Sequence, residues 1–169
     1  TVNHRLGALG FLSSPALDAT ATATGHVSGN YGLEDQAAAL RWARRNAARF
    51  GGDPRNITVA GQSSGARTIC AHLASPASAG LFAKAISQSG PCTDLVTKPV
   101  ADQRGERVAT ELGCGSGPPS AVVACLREQP VEDLLSRLTD VVGDGGDGGD
   151  VTGDYSQQPW QPVVGTPLV

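Results

Sequence analysis

The stretch GQSSG, residues 61–65, sets a serine, Ser63, between two glycines, Gly61 and Gly65. A hydroxyl at its ordinary pKa is a poor nucleophile. To attack a carbonyl it must project clear of the backbone, meet a base and face donors for the developing oxyanion. A tight strand-to-helix turn supplies the projection. Bulky side chains would collide across such a turn, so glycine suits both flanks, here Gly61 and Gly65. The backbone N–H of the next residue, Ser64, then becomes one oxyanion donor, helped by the positive end of the following helix. The implied chemistry is acyl transfer through serine. In a chain with 22 glycines the five letters alone are a common accident, and the surrounding elements decide their meaning.

Ile57–Thr58–Val59–Ala60 is short, β-branched and bounded by turn residues, which predicts a buried strand. Ser64 to Ala74 is helical in pattern and stops before Pro76. The strand–turn–helix context that a nucleophile elbow requires is therefore met. Upstream, Leu33, Ala37, Leu40, Ala43 or Arg44, Ala47 and Phe50 recur at three- and four-residue spacing and predict a helix with one apolar face, ended by Gly51–Gly52. Thr1 to His4 reads as the end of a strand, residues 13–29 as a surface loop, and Lys84 to Gln88 as a further strand. The alternation predicts an α/β fold, a parallel sheet with crossover helices.

The second half is helical in character. Val100 to Leu112 predicts a helix stopped by Gly113. Ser120 is a candidate N-cap for a short helix ending near Arg127. Pro130 opens another, with Glu132 and Asp133 in its first turn, where carboxylates suit the dipole. The run GDGGDGGDVTGD, residues 143–154, fits neither an EF-hand loop nor a full glycine-rich calcium repeat and reads as a flexible acidic loop. The organisation expected is one partial α/β domain: a sheet core with the elbow over 1–92, a helical segment over 93–138, and a Gly/Asp-rich loop over 139–161.

With 40% hydrophobic and 17% charged residues, the 169-residue chain has the composition of one globular domain. A net charge of -3 gives no reason to expect nucleic acid as a partner, and no apolar run reaches membrane-spanning length. No Met is present and the opening TVNHRLG is not a signal sequence, so the chain is expected to be an interior segment. The four cysteines form no C-x-x-C pair and the histidines lack zinc-ligand spacing, so neither a metal nor another cofactor is expected. Cys114 and Cys125 enclose a short loop that a bridge could close, at a stabilisation of about 3 kcal/mol; four free thiols are the alternative reading.

Several motifs agree in order and spacing. NHRLGALGFL, GNYGLEDQAAALRWARRNAARFGGDPRNITVAGQSSG and GLFAKAISQSG together resemble the type-B carboxylesterase family of the α/β-hydrolase fold, which includes bacterial esterases and cholinesterases. The resemblance runs over about residues 1–138. It implies that Ser63 is the nucleophile and Ser64 an oxyanion donor, and that Ser89, in QSG, supports the site from the next strand. Gln62 stands where the family usually carries Glu, keeping the shape and losing the charge. Ala66 replaces a usual glycine and His4 a usual tyrosine, both as structural variation. The spacing of Cys114 and Cys125, followed by Leu126–Arg127, resembles a family disulfide loop and supports that pairing; Cys70 and Cys92 are left open. QPVVGTPLV is similar to a PVVDG-type strand without its Asp, and no site is drawn from it.

The serine's partners are missing from this stretch. Only His72 follows Ser63, ~13 Å along the same helix at 1.5 Å per residue, whereas a base must come within about 3 Å. It reads as a surface or partly buried helical histidine. His4 and His26 precede the serine, in the wrong chain order for this fold. The resemblance places the acid and the histidine beyond the chain's last residue, and further oxyanion donors before its first. The expected function is a serine hydrolase of small-molecule carboxylic esters, represented by a segment inactive alone, secreted or extracellular. The alternative is a non-catalytic cholinesterase-like adhesion module, against which the retained Ser63 counts; a degraded gene is a third reading.

Overall fold

The computed structural model describes residues 1–21, 25–93, 95–136 and 160–169. A short helix α1 (Gly7–Phe11) and a second, α2 (Pro15–Thr20), precede the long helix α3 (Tyr31–Asn46), which tightens into a 3-10 turn over Ala47–Phe50. Gly51 closes that turn at φ 78°, a left-handed value that glycine adopts freely. Strand β1 (Thr58–Gln62) leads into helix α4 (Ser64–Ala74), and a 3-10 turn over Pro76–Ser78 leads on to β2 (Lys84–Gln88). After these come β3 (Val96–Thr97), α5 (Lys98–Glu111), α6 (Pro119–Glu128), α7 (Val131–Ser136) and β4 (Val163–Val164).

β1 and β2 pair in parallel, Thr58 opposite Lys84 through Gln62 opposite Gln88, with α4 as the crossover packed on both strands. That is the βαβ unit the alternation predicts. The strand is less buried than expected, however. Every residue of β2 is exposed, and β1 alternates between exposed and half-buried, because α4 covers only one face among the described residues. A second parallel pair joins Val96 to Val163 and Thr97 to Val164.

Three local expectations are corrected. Thr1 to His4 is not a strand; no neighbouring strand among the described residues offers it a ladder. Residues 13–29 are not simply surface loop. They contain α2, capped by the Ser14 hydroxyl on Ala16 N–H, and Ser13, Ser14 and Ser28 are buried. Ser13 donates to Asp102 at 2.7 Å, Ser28 N–H donates to Asp18 at 2.7 Å, and Lys98 ties Asp18 to Asp102. Small polar side chains read as loop in sequence, yet here they satisfy one another inside. Finally, α6 is capped by Pro118, not Ser120, because two consecutive prolines with fixed φ start the helix earlier. The stretch read as a loop over 139–161 lies outside the described residues up to residue 159.

The C-terminal residues organise the core. Trp160 packs on both the Ala8–Val108 cluster and the Phe11–Leu33–Ala71 cluster. Buried Asn30 donates from Nδ2 to the Val163 carbonyl and accepts from the Val163 N–H at Oδ1, each at 2.8 Å. This captures one backbone residue as a strand partner would. The preceding Gly29, at φ 115°, leaves room for the Val163 side chain, which a Cβ would meet at 2.9 Å.

Candidate active site

Ser63 sits at the junction of β1 and α4 with φ 54° and ψ -117°. Such values are rare for a residue with a Cβ and are the kind of strain found at functional turns. The turn exists because the ladder continues one step past the strand: Ser63 N–H donates to the Gln88 carbonyl at 2.9 Å. The Ser63 carbonyl then turns inward and accepts from Ala66 and Arg67, starting the helix. The Ser63 hydroxyl has no hydrogen-bond partner among the described residues. Ser64 begins α4, so its N–H is one of the first-turn donors that helix geometry leaves unused.

The two glycines that flank the serine are not equivalent. A Cβ on Gly61 would stand 2.5 Å from the Gly65 carbonyl carbon and oxygen and 2.9 Å from Ile69. One on Gly65 would meet nothing within 4 Å. Only the first flank needs glycine within these residues. The second tight contact belongs to Gly90, where a Cβ would lie 2.4 Å from the Ser63 carbonyl oxygen and 2.6 Å from the Ala66 methyl. Its signal was already visible, as the last letter of QSG. Ser89 beside it is exposed, with φ 52°. Gln62 is exposed at the end of β1, opposite Gln88.

None of the three histidines hydrogen-bonds Ser63. His72 is buried, not at the surface: Nε2 donates to Gln36 Oε1 at 3.0 Å and Nδ1 accepts from the Ser78 hydroxyl at 2.8 Å. Burial pushes its pKa down to about 4, so it is neutral at pH 7. His26 pairs with Glu34 at 2.7 Å and stacks on Tyr31. His4 lines a cavity of about 330 Å³ together with Ser64, Gly65, Gln36 and Trp160, beside the N-terminus of α4. Arg5 fixes this region by binding Asp35 through two guanidinium nitrogens, and that contact holds the Asp35 carboxyl below its ordinary value.

Both pairs of cysteines are bridged, Cys114 to Cys125 and Cys70 to Cys92. The second pairing, open in sequence, joins α4 to the segment after β2. Among the described residues no group of His, Cys, Asp or Glu is placed to hold a metal ion, and no helix is long and apolar enough to cross a membrane.

The model of the carboxylesterase family matches residues 1–169. Esterase E4 of Myzus persicae is 42% identical over 136 residues, which is 79% of this chain and 23% of that protein. Carboxylesterase 3B of Mus musculus is 40% identical over 138 residues, 81% of this chain and 23% of its own length. The chain therefore spans about a quarter of the length of these two relatives. In three dimensions it is similar to a PNB esterase, with a TM-score of 0.75 and 37% identity over 95% of this chain and 31% of the other. With its parallel strands, crossover helix and strained serine turn, the fold is part of an α/β-hydrolase, and the chain belongs to the carboxylesterase family.

Proposed function

We propose that the protein carrying this chain is a serine hydrolase of small-molecule carboxylic esters, with Ser63 as its nucleophile. The observation that carries the reading is the left-handed backbone of Ser63 between a parallel strand and a helix N-terminus. The Ser63 oxygen attacks the ester carbonyl carbon while a base takes the hydroxyl proton. The alcohol leaves with that proton, and the acyl group remains on Ser63. Water then attacks the acyl-enzyme, releasing the carboxylic acid and restoring the serine. Ser64 N–H donates to the oxyanion in both steps. Gly61 and Gly90 shape the turn, and Gln62, Gly65 and Ser89 flank it. The base and its orienting acid are supplied from outside these 169 residues. Two disulfides support residence in an oxidising compartment, outside the cell or in its envelope.

The test uses the full-length protein and an activated aryl ester. Wild type should release a burst of alcohol equal to the enzyme present. Ser63→Ala should abolish the burst and lower kcat at least about a thousandfold. A serine-directed phosphonate should label Ser63 and no other residue; labelling elsewhere would overturn the assignment.

A further inference from the structure

The corner that carries Ser63 holds the two described non-glycine residues with positive φ, Ser63 at 54° and Ser89 at 52°. Each lies one residue past the end of a strand, and the two strands are paired side by side. A residue with a Cβ keeps such a conformation only where its surroundings over-determine it. Two of the constraints are non-covalent: the Ser63 N–H bond to Gln88, and the close approach of Gly90 to the Ser63 carbonyl. The third is covalent. Cys70, six residues into α4 and ~9 Å along it at 1.5 Å per residue, is bridged to Cys92, two residues past Gly90, with Cα atoms 5.3 Å apart. The closed loop contains the rest of α4, all of β2 and the Ser89–Gly90 turn.

Resting on the reading of Ser63 as nucleophile, we propose that the Cys70–Cys92 disulfide is a positioning strap for that serine. It holds the Ser89–Gly90 turn against the first turns of α4, so that the Ser63 hydroxyl and the Ser64 N–H keep one mutual geometry. The other bridge has a different place: Cys114–Cys125 ties the turn after α5 to α6, in the cluster of Ala109 and Leu126. The strap is also open to reduction. Cys70 is buried while Cys92 is exposed, so Cys92 is the solvent-side half of the bridge. A dithiol gives the bridge two electrons and two protons, leaving two thiols and departing as its own cyclic disulfide.

The experiment compares full-length wild type with Cys70→Ala/Cys92→Ala and with Cys114→Ala/Cys125→Ala, active sites being counted by the burst. The first double variant should lose tenfold or more in kcat per titrated site and in phosphonate labelling rate at Ser63, with KM within twofold. The second should keep kcat within twofold, whatever its melting temperature. Unchanged kcat in the first variant, or an equal loss in both, overturns the strap. Should the first variant not fold, native wild type is titrated with dithiothreitol and its thiols are alkylated and mapped. Activity must then fall as Cys70–Cys92 opens and return on reoxidation; full activity with that bridge open overturns the proposal. Phosphonate labelling of a serine other than Ser63 in wild type would instead remove the nucleophile reading itself, a failure distinct from that of the strap.

Discussion

Gly61 lies so close to Gly65 that a single methyl group on it would stand 2.5 Å from the Gly65 carbonyl carbon and oxygen. The reverse substitution meets open space. The turn that lifts Ser63 is thus closed by one obligatory glycine at the strand end, and the obstacle is backbone, which cannot rotate aside. Gly61→Ala should destabilise the protein by about 3 kcal/mol, at the upper end for overpacking. Gly65→Ala, in the first turn of α4, should change stability by less than about 1 kcal/mol. Urea unfolding of the two variants in the full-length protein checks the asymmetry; equal losses would contradict it.

The 169-residue chain expressed alone should show no Ser63-dependent hydrolysis, since no histidine among its described residues hydrogen-bonds that serine. Loss of the base removes most of the rate enhancement of a serine hydrolase. The same chain should self-associate. Trp42, Phe50, Leu73 and Ile86 are 48% to 77% exposed, and both outer edges of the β1–β2 pair are open among the described residues. Light scattering and burst kinetics decide both points. A monomer with a sharp cooperative melt would refute the second, and a burst absent from Ser63→Ala would refute the first.

His72 makes stability pH-dependent in a definite direction. Its pKa in the folded protein lies at about 4, below the ordinary 6.5, because burial disfavours the charged ring. The unfolded chain therefore binds the proton first. Stability is complete above pH 6.5 and falls as the pH drops toward 4, by about 3 kcal/mol in total. His72→Gln should flatten that slope between pH 6.5 and 4. Urea midpoints measured across the window check it, and an unaltered slope would assign the dependence to other groups.

Arg5 and Asp35 meet at a partly exposed surface, where a guanidinium fork fits both carboxylate oxygens. Arg5→Lys keeps the charge and loses the fork. It should lower stability by about 1 kcal/mol, the small value reflecting exposure to solvent. A larger loss in high salt than in low salt would argue against an ionic origin.

Residue types and their order determined much of this protein. The helix over Ser64–Ala74 and the strand over Lys84–Gln88 have the predicted bounds, because β-branched or helical runs bordered by glycine and proline leave little local choice. The elbow was legible for the same reason: glycine on the strand side of a serine records a backbone conflict that any fold using the turn must resolve. Only the tertiary structure decided what depends on distant chain. It chose the partner of Cys70, buried His72 between Gln36 and Ser78, drew Ser13 and Ser28 inside, and gave the weak QPVVGTPLV strand to Asn30, 133 residues away. Local pattern reports the conformational preference of neighbours. The pairing of a buried polar group is set by whichever remote atom satisfies it, and no spacing along the sequence records that choice.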